Sequence, residues 1–109
     1  MEEGLSPVHP GEVLREDFMK PLELSQYRVA KDIGVSALRI SQIVRGQRSI
    51  SVDTALRLAR YFRTSAGVWL LLHARYDLEM AELQLAERIE REAKVLPQQT
   101  LEILGQGTG

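Results

Sequence analysis

Apolar residues recur along most of the chain at the three- and four-residue spacing of amphipathic helices, and no stretch alternates as a half-buried strand would. The pattern predicts an all-α fold. Four short helices are expected over about 10–20, 26–33, 37–45 and 52–62, and a longer helical region is expected over about 65–94. Pro10 suits a first helical turn, and Pro21 ends the first helix.

Serine and glycine mark the ends of the short helices. Ser25, Ser36 and Ser51 each precede a helical pattern and are good N-caps, while Gly34 and Gly46 stand where a left-handed residue ends a helix. The apolar faces predict the core. The expected core residues are Val13, Leu14 and Phe18; Tyr27, Val29, Ala30 and Ile33; Ile40 with Ile43 or Val44; and Ala55, Leu58, Ala59 and Phe62.

Two apolar stripes run along the last helical region. One comprises Leu71, Ala74, Leu78, Ala81, Leu85 and Ile89, and the other comprises Trp69, Leu72, Tyr76, Met80 and Leu83. A helix in a small domain usually needs one stripe, so we expect one to pack on the core and the other to meet a second copy. The alternative is a more completely buried helix, or a break near Tyr76–Asp77. We assign the dimer contact to Leu71, Leu78, Leu85 and Ile89, while spacing alone leaves the choice of stripe open.

Composition excludes several kinds of chemistry. The chain has no cysteine and two histidines, which excludes disulfides, thiolate nucleophiles and Cys-ligated metals and argues against a multi-His metal site. No apolar run approaches the roughly 18 residues of a membrane span. The acidic start has no signal-peptide pattern. We therefore expect a cytoplasmic protein without metal or cofactor, and no feature supports an enzyme.

The net charge of −1 hides a basic middle segment. Residues 25–63 carry eight basic and two acidic residues, whereas 1–24 carry two and six, and 64–109 carry four and seven. A basic segment between acidic flanks is a typical footprint for nucleic acid. Solvated helix faces would produce the same count.

The stretch Ser25–Gly46, SQYRVAKDIGVSALRISQIVRG, contains two short capped helices joined by a glycine-containing turn. This is the helix-turn-helix arrangement. The outer face of its second helix is polar and can enter a major groove. That face carries Arg39, Ser41, Gln42 and Arg45. Gln26 lies in the first turn of the preceding helix and can donate to a DNA phosphate. Arg45 and Arg48 can contact the DNA backbone.

Four segments in this order resemble HigA-type antitoxins of the Cro/lambda-repressor-like (XRE) helix-turn-helix family. They are HPGEVLREDFMKPLELSQYRVA (9–30), ISQIVRGQRSIS (40–51), DTALRLARYFRTS (53–65) and WLLLHARYDL (69–78). The resemblance implies a five-helix lambda-repressor-like DNA-binding domain with a long C-terminal helical region. We expect one domain over 1–109, with the helix-turn-helix at 25–46, a dimerisation region at about 65–94 and a flexible tail at about 97–109.

The resemblance also implies a function. Relatives neutralise a partner toxin, usually an RNA-cleaving protein of the RelE-like fold, and repress their own operon at a palindromic operator as homodimers. The DNA-facing residues implied by position are Gln26, Ser36, Ala37, Leu38, Arg39, Gln42, Arg45 and Arg48. Two positions depart from the pattern. Leu38 is apolar where related repressors commonly have a polar residue, and His73 stands where many relatives have glutamine.

Side-chain chemistry extends this expectation to base recognition. Gln42 can bind adenine and Arg39 can bind guanine, each through two hydrogen bonds, while Ala37 and Leu38 can contact thymine methyl groups. For Arg39 the alternative is a phosphate contact or a solvated side chain. For Leu38 it is packing within the domain or against the second copy.

Glu12 and Glu16 share a face of the first helix, with Asp17 nearby. An acidic helix can dock on the basic active-site surface of an RNA-cleaving toxin, so these residues are candidate toxin contacts. The alternative is a solubilising face. Two other functions remain open for the whole chain: a stand-alone dimeric repressor with no toxin partner, and a protein adaptor that has lost DNA binding.

Overall fold

The computed structural model describes residues 6–108, and within that range the chain is helical with no strand. Helix α1 begins as an α-helix over Pro10–Val13 and continues with π-helical turns over Leu14–Met19. It is followed by α2 (Gln26–Ile33), α3 (Ala37–Val44), α4 (Val52–Phe62), α5 (Ala66–Glu92) and α6 (Gln98–Thr108). The predicted all-α fold is therefore confirmed. Glu2 and Glu3, which contribute to the acidic start, and the final Gly109 lie outside the described residues.

The core lies where α1–α4 and the first turns of α5 meet. Its buried apolar residues are Leu14, Met19, Val29, Ala30, Ile33, Ile40, Ile43, Val44, Ile50, Ala55, Leu58 and Trp69. Trp69 belongs to α5 and is fully buried. Its ring lies 5.2 Å from that of Phe18, which in turn lies 4.8 Å from that of Phe62. The aromatic contacts therefore join α1, α4 and α5.

The π-helical turns in α1 differ from the regular α-helix that the sequence predicts. The Lys20 N–H donates to the Arg15 carbonyl, five residues earlier, over 2.9 Å. This wider turn allows Leu14 and Met19, also five residues apart, to be buried together. At the start of the helix, α1 crosses α3 so closely that a Cβ on Gly11 would lie 1.7 Å from the Ile43 carbonyl oxygen.

In the helix-turn-helix, α2 spans the predicted residues, and α3 ends at Val44, one residue before its predicted end. Gly34 follows α2 in the left-handed conformation, with φ at 79°, and the N–H groups of Gly34 and Val35 both donate to the Ala30 carbonyl. This motif ends α2 and leads directly into the Ser36 cap of α3. One core expectation here is wrong: Tyr27 is 69% exposed, because it lies on the opposite side of α2 from Val29, Ala30 and Ile33.

Helix α5 is continuous over 27 residues, so the alternative of a break near Tyr76–Asp77 is wrong. It is followed by α6, which lies within the segment from about 97 onward that the sequence predicts as a flexible tail. The Pro97 carbonyl accepts hydrogen bonds from the N–H groups of Thr100 and Leu101, so proline starts the helix in spite of the glycines that follow. No helix within residues 6–108 is both long and apolar enough to cross a membrane.

Candidate nucleic-acid interface

Helix α3 presents a face that no other helix of residues 6–108 covers. The Ser36 hydroxyl accepts from the Arg39 N–H over 3.1 Å and so caps the helix. Ile40, Ile43 and Val44 fix the opposite face in the core. The predicted DNA-facing residues Ser36, Ala37, Leu38 and Arg45 are exposed, and Arg39 and Gln42 are half-buried. Leu38 is 63% exposed, so packing within the domain does not account for it.

The N-terminus of α2 contributes a second group of residues. The Ser25 hydroxyl accepts from the Arg28 N–H over 3.0 Å, and Gln26 occupies the first helical position. The exposed Tyr27 follows directly and adds a phenol to this end of the helix. Tyr27 is predicted as a core residue because it lies at helical spacing from the apolar residues of α2. That spacing does not distinguish an exposed tyrosine from a buried one. Arg28 is already paired within the chain, because its Nε donates to Asp32 Oδ2 over 2.6 Å.

Gln42 is held by an arginine that lies after α3. The Nη1 of Arg48 donates to Gln42 Oε1 over 3.0 Å. The Gln42 amide nitrogen, which supplies two donors, takes no part in that contact. The structure therefore brings together two residues for which the sequence predicts separate roles. Gln42 is expected to bind a base, and Arg48 is expected to contact the DNA backbone.

Arg39 is also held, and more extensively. Its Nη1 donates to Asp53 Oδ2 over 3.2 Å and to Thr54 Oγ1 over 3.4 Å, both in the first turn of α4. Its side chain is 30% exposed. One alternative in the sequence analysis, that Arg39 is a solvated side chain, is therefore wrong. The sequence carries no signal for this contact, because fourteen positions separate Arg39 from Asp53.

Arg57 completes the network on the other side of Asp53. Its Nε donates to Asp53 Oδ2 over 2.9 Å, and its Nη1 donates to the carbonyl of Ile33 over 2.8 Å. The hydrogen bond from Arg57 lowers the pKa of the Asp53 carboxyl, and Arg39 adds to this effect. Asp53 therefore carries its negative charge at neutral pH, beside the helix that faces outward.

Other arginines of the basic segment, residues 25–63, are not paired with a carboxylate. Within the part of the chain that the structure describes, Arg45, Arg48 and Arg60 form no ion pair and are exposed. The Asp32 carboxylate accepts hydrogen bonds from the Tyr61 hydroxyl and from Arg28, and these two contacts, the first more than the second, lower the pKa of the carboxyl. Arg45 and Arg48, at the end of α3, are thus available to phosphates.

The candidate toxin contacts lie on α1. Glu12 and Asp17 are exposed. Glu16 is half-buried and is paired with Arg15 over 2.8 Å and with Lys20 over 3.1 Å, and these hydrogen bonds lower the pKa of its carboxyl. Two basic neighbours therefore offset the charge of Glu16, so Glu12 and Asp17 supply most of the free negative charge on this helix.

The two stripes of α5 have different surroundings. Of the second stripe, Trp69 is buried and Leu72, Tyr76 and Met80 are half-buried, whereas Leu83 at its far end is exposed, so only the first part of this stripe faces the core. The assigned dimer residues Leu71, Leu78, Leu85 and Ile89 are all exposed in the single chain. Residues 6–108 therefore leave the four assigned dimer residues uncovered, and they also leave Leu83 of the other stripe uncovered.

The two histidines belong to the junction of α1 and α5. His9 Nδ1 accepts from the Gly11 N–H over 2.9 Å and caps α1, and the His9 ring lies 4.8 Å from that of Tyr76 and 5.8 Å from that of His73. Burial lowers the pKa of His9, and the nearby His73 lowers it further. Among residues 6–108, no group of three or more His, Asp and Glu side chains is arranged to hold a metal ion.

Comparison with known proteins identifies similar chains. The helix-turn-helix family model HTH_3 matches residues 16–69. Virulence-associated protein I of Dichelobacter nodosus is 55% identical over 75 residues, which cover 69% of each chain. The solved Pseudomonas aeruginosa antitoxin HigA with higBA promoter has a TM-score of 0.81 at 43% identity, over 84% of this chain and 99% of that one. Antitoxin GraA in complex with its operator has a TM-score of 0.80 at 35% identity, over 85% of this chain and 94% of that one.

Proposed function

Because the chain belongs to the HigA-type antitoxins of the XRE helix-turn-helix family, we propose that it represses its own operon and neutralises a partner toxin. The observation that carries the DNA-binding part is the outer face of α3. It is capped, rigidly seated on the core and uncovered, and it carries hydrogen-bonding and apolar side chains. The solved relatives with promoter or operator DNA support DNA binding by this chain.

In the proposed complex, α3 lies in the major groove with its N-terminal residues against base edges. Gln42 reads adenine and Arg39 reads guanine, while Ala37 and Leu38 contact thymine methyl groups. Gln26 and Ser36 donate to phosphates from the two helix N-termini. Arg45 and Arg48 add the positive charge that makes binding sensitive to salt.

The operator is palindromic because the protein is a homodimer. A dimer places its two copies of α3 about 34–36 Å apart, one helical turn of DNA. We assign the dimer contact to the exposed stripe Leu71, Leu78, Leu85 and Ile89. A groove of about 360 Å³, lined by Val68, Leu71, Leu72 and Arg75, lies beside this stripe and gives the second copy an apolar surface to fill.

The toxin is proposed to be an RNA-cleaving protein of the RelE-like fold, as the family resemblance implies. Its basic active-site surface would meet the acidic residues of α1. Glu12 and Asp17 are the stronger candidates, since Glu16 is paired with Arg15 and Lys20. Charge reversal at Glu12 and Asp17 is therefore expected to weaken toxin binding while operator binding is retained.

The DNA-binding part is tested with duplexes that the wild-type protein selects from a random library. Gln42→Ala is expected to reduce the preference for the selected duplex over a scrambled one by about 10-fold, because one bidentate base contact is lost. Gln84→Ala, on the exposed surface of α5, is the matched control and should leave the preference unchanged. Equal, salt-sensitive affinity of all three proteins for every duplex would reject specific recognition.

The antitoxin part is tested by co-expression with the product of the neighbouring gene. A stable complex and restored growth are the expected results. The alternative function, a stand-alone repressor, predicts specific DNA binding with neither a complex nor any toxicity to relieve. The two experiments are independent, so each part of the proposal can fail separately.

A further inference from the structure

Only part of the Arg39 guanidinium is used within the protein. A guanidinium has five N–H donors in a planar fork. Nη1 donates to Asp53 and Thr54, whereas Nε and Nη2 form no hydrogen bond with any residue in 6–108. The unused Nε and Nη2 lie along one edge of the group and form a parallel pair of donors.

The acceptors that hold Nη1 are themselves fixed. Thr54 is 1% exposed, and its hydroxyl accepts from the Ser51 hydroxyl over 3.2 Å at the N-cap of α4. Asp53 is held by Arg57, which is bound in turn to the Ile33 carbonyl at the end of α2. The orientation of the Arg39 guanidinium is therefore set by contacts to α4 and, through Arg57, to α2.

We propose that Asp53 is a positioning residue, which fixes the Arg39 guanidinium so that its free Nε–Nη2 edge reads a guanine in the major groove. The O6 and N7 acceptors of guanine match such a pair of parallel donors. Fixing the guanidinium before binding reduces the side-chain entropy lost in the complex. This inference rests on the proposed DNA-binding function of α3.

A different role for Asp53 would have the opposite consequence. If the ion pair only withdrew Arg39 from the surface, removal of Asp53 would release an arginine and a negative charge would disappear from the DNA-facing side. Both changes favour binding to phosphates. A positioning role predicts weaker binding to the specific duplex in spite of that electrostatic gain, so the two roles differ in sign.

The test compares Asp53→Ala with wild type on the selected duplex, on the same duplex with each G·C pair replaced in turn, and on scrambled DNA. We expect the preference for one G·C pair to fall about 10-fold, while affinity for scrambled DNA stays equal or rises. Asp32→Ala is the matched control, since it also removes a surface aspartate that is paired with arginine. It should leave the base preference unchanged.

A double-mutant cycle identifies the residue through which Asp53 acts. In an Arg39→Ala background, Asp53→Ala is expected to have no further effect on base preference. Asp53→Asn keeps an acceptor without the charge and should fall between Asp53→Ala and wild type. It also serves if Asp53→Ala fails to fold, as judged by thermal unfolding.

Three results separate the possible failures. If wild type selects no duplex, the proposed function itself is wrong. If wild type is selective but Arg39→Ala keeps every base preference, Arg39 is not a reader and the positioning role is overturned. If Arg39→Ala loses a preference that Asp53→Ala and Asp53→Asn retain, Arg39 reads the base without help from Asp53, which also overturns the inference.

Discussion

In helices α2–α4 the inward apolar faces are covered within the chain, whereas residues 6–108 leave most of α5 uncovered. Val29, Ile40 and Leu58 are fully buried, but α5 buries only Trp69 in 27 residues. Polar groups differ in the same way. Arg39 of α3 and Asp53, Thr54 and Arg57 of α4 form a network that reaches α2 through the Ile33 carbonyl. The ion pairs Arg75–Glu79 and Arg88–Glu92 of α5 are local i,i+4 contacts. The first region buries its apolar faces in one chain, and the second leaves an apolar stripe exposed, which is where we propose that a second copy binds.

The largest effect is expected where the two regions meet. Trp69→Ala removes a fully buried indole and its hydrogen bond to the Thr64 hydroxyl, 2.9 Å long. Such a substitution costs about 3–5 kcal/mol of unfolding free energy. Urea unfolding at fixed protein concentration measures it. Leu83→Ala, in the same helix but 74% exposed, is expected to change stability by less than about 0.5 kcal/mol.

A comparable loss in both variants would mean that α5 is covered well beyond its first turns. The contrast between the two regions would then be wrong. A loss confined to Trp69→Ala would show that the domain takes only the start of α5 into its core.

The second prediction concerns the uncovered stripe. Leu71→Glu together with Leu78→Glu is expected to weaken self-association by at least about 100-fold, because a buried leucine contributes roughly 1.5–3 kcal/mol and twofold symmetry counts each change twice. Sedimentation of a dilution series measures the dissociation constant. Far-UV circular dichroism should stay unchanged, since both side chains are exposed in the single chain.

Leu83→Glu is the matched control for that pair. Leu83 is as exposed as Leu71 but belongs to the stripe that begins at Trp69. If Leu83→Glu dissociated the dimer and the Leu71 and Leu78 substitutions did not, the interface would lie on the other stripe. That result would leave the fold unchanged and move the contact around α5.

Local signals explain which parts of this structure the sequence predicted. A serine before each of α2, α3 and α4 sets where the helix begins, and Gly34 sets where α2 ends. Each of these residues lies within four residues of the helix end that it determines. The exposed polar face of α3 follows from the spacing of Ile40 and Ile43. The outward face of the candidate interface was therefore predictable.

The features that the sequence missed depend on tertiary contacts. The π-helical turns of α1 arise where Leu14 and Met19 are both buried, while the sequence showed only a regular apolar spacing. The contact between Arg39 and Asp53 requires that the first turn of α4 lies near α3, which no local pattern encodes. Tyr27 shows the reverse error, since an apolar spacing suggested burial that the packing does not provide.

The smallest expected effect is a pH dependence at the junction of α1 and α5. His9 caps α1 with an unprotonated Nδ1, and burial followed by the nearby His73 lowers its pKa below the ordinary value of 6.5, while Asp77 acts in the opposite direction. As the pH falls below 6.5, the unfolded chain therefore binds a proton at this position before the folded chain does. The free energy of unfolding should decrease from about pH 6.5 down through the folded pKa of His9, and this contribution should be constant above that range.

Urea unfolding between pH 5 and pH 8 measures this decrease in the free energy of unfolding. The interval lies above the range where Asp32 and Asp53, whose carboxyl pKa values are lowered, become protonated. His9→Asn keeps a capping side chain but does not titrate, so its stability should change less over this interval. An identical slope in the variant would assign the pH dependence to a different group and leave His9 with only its capping role.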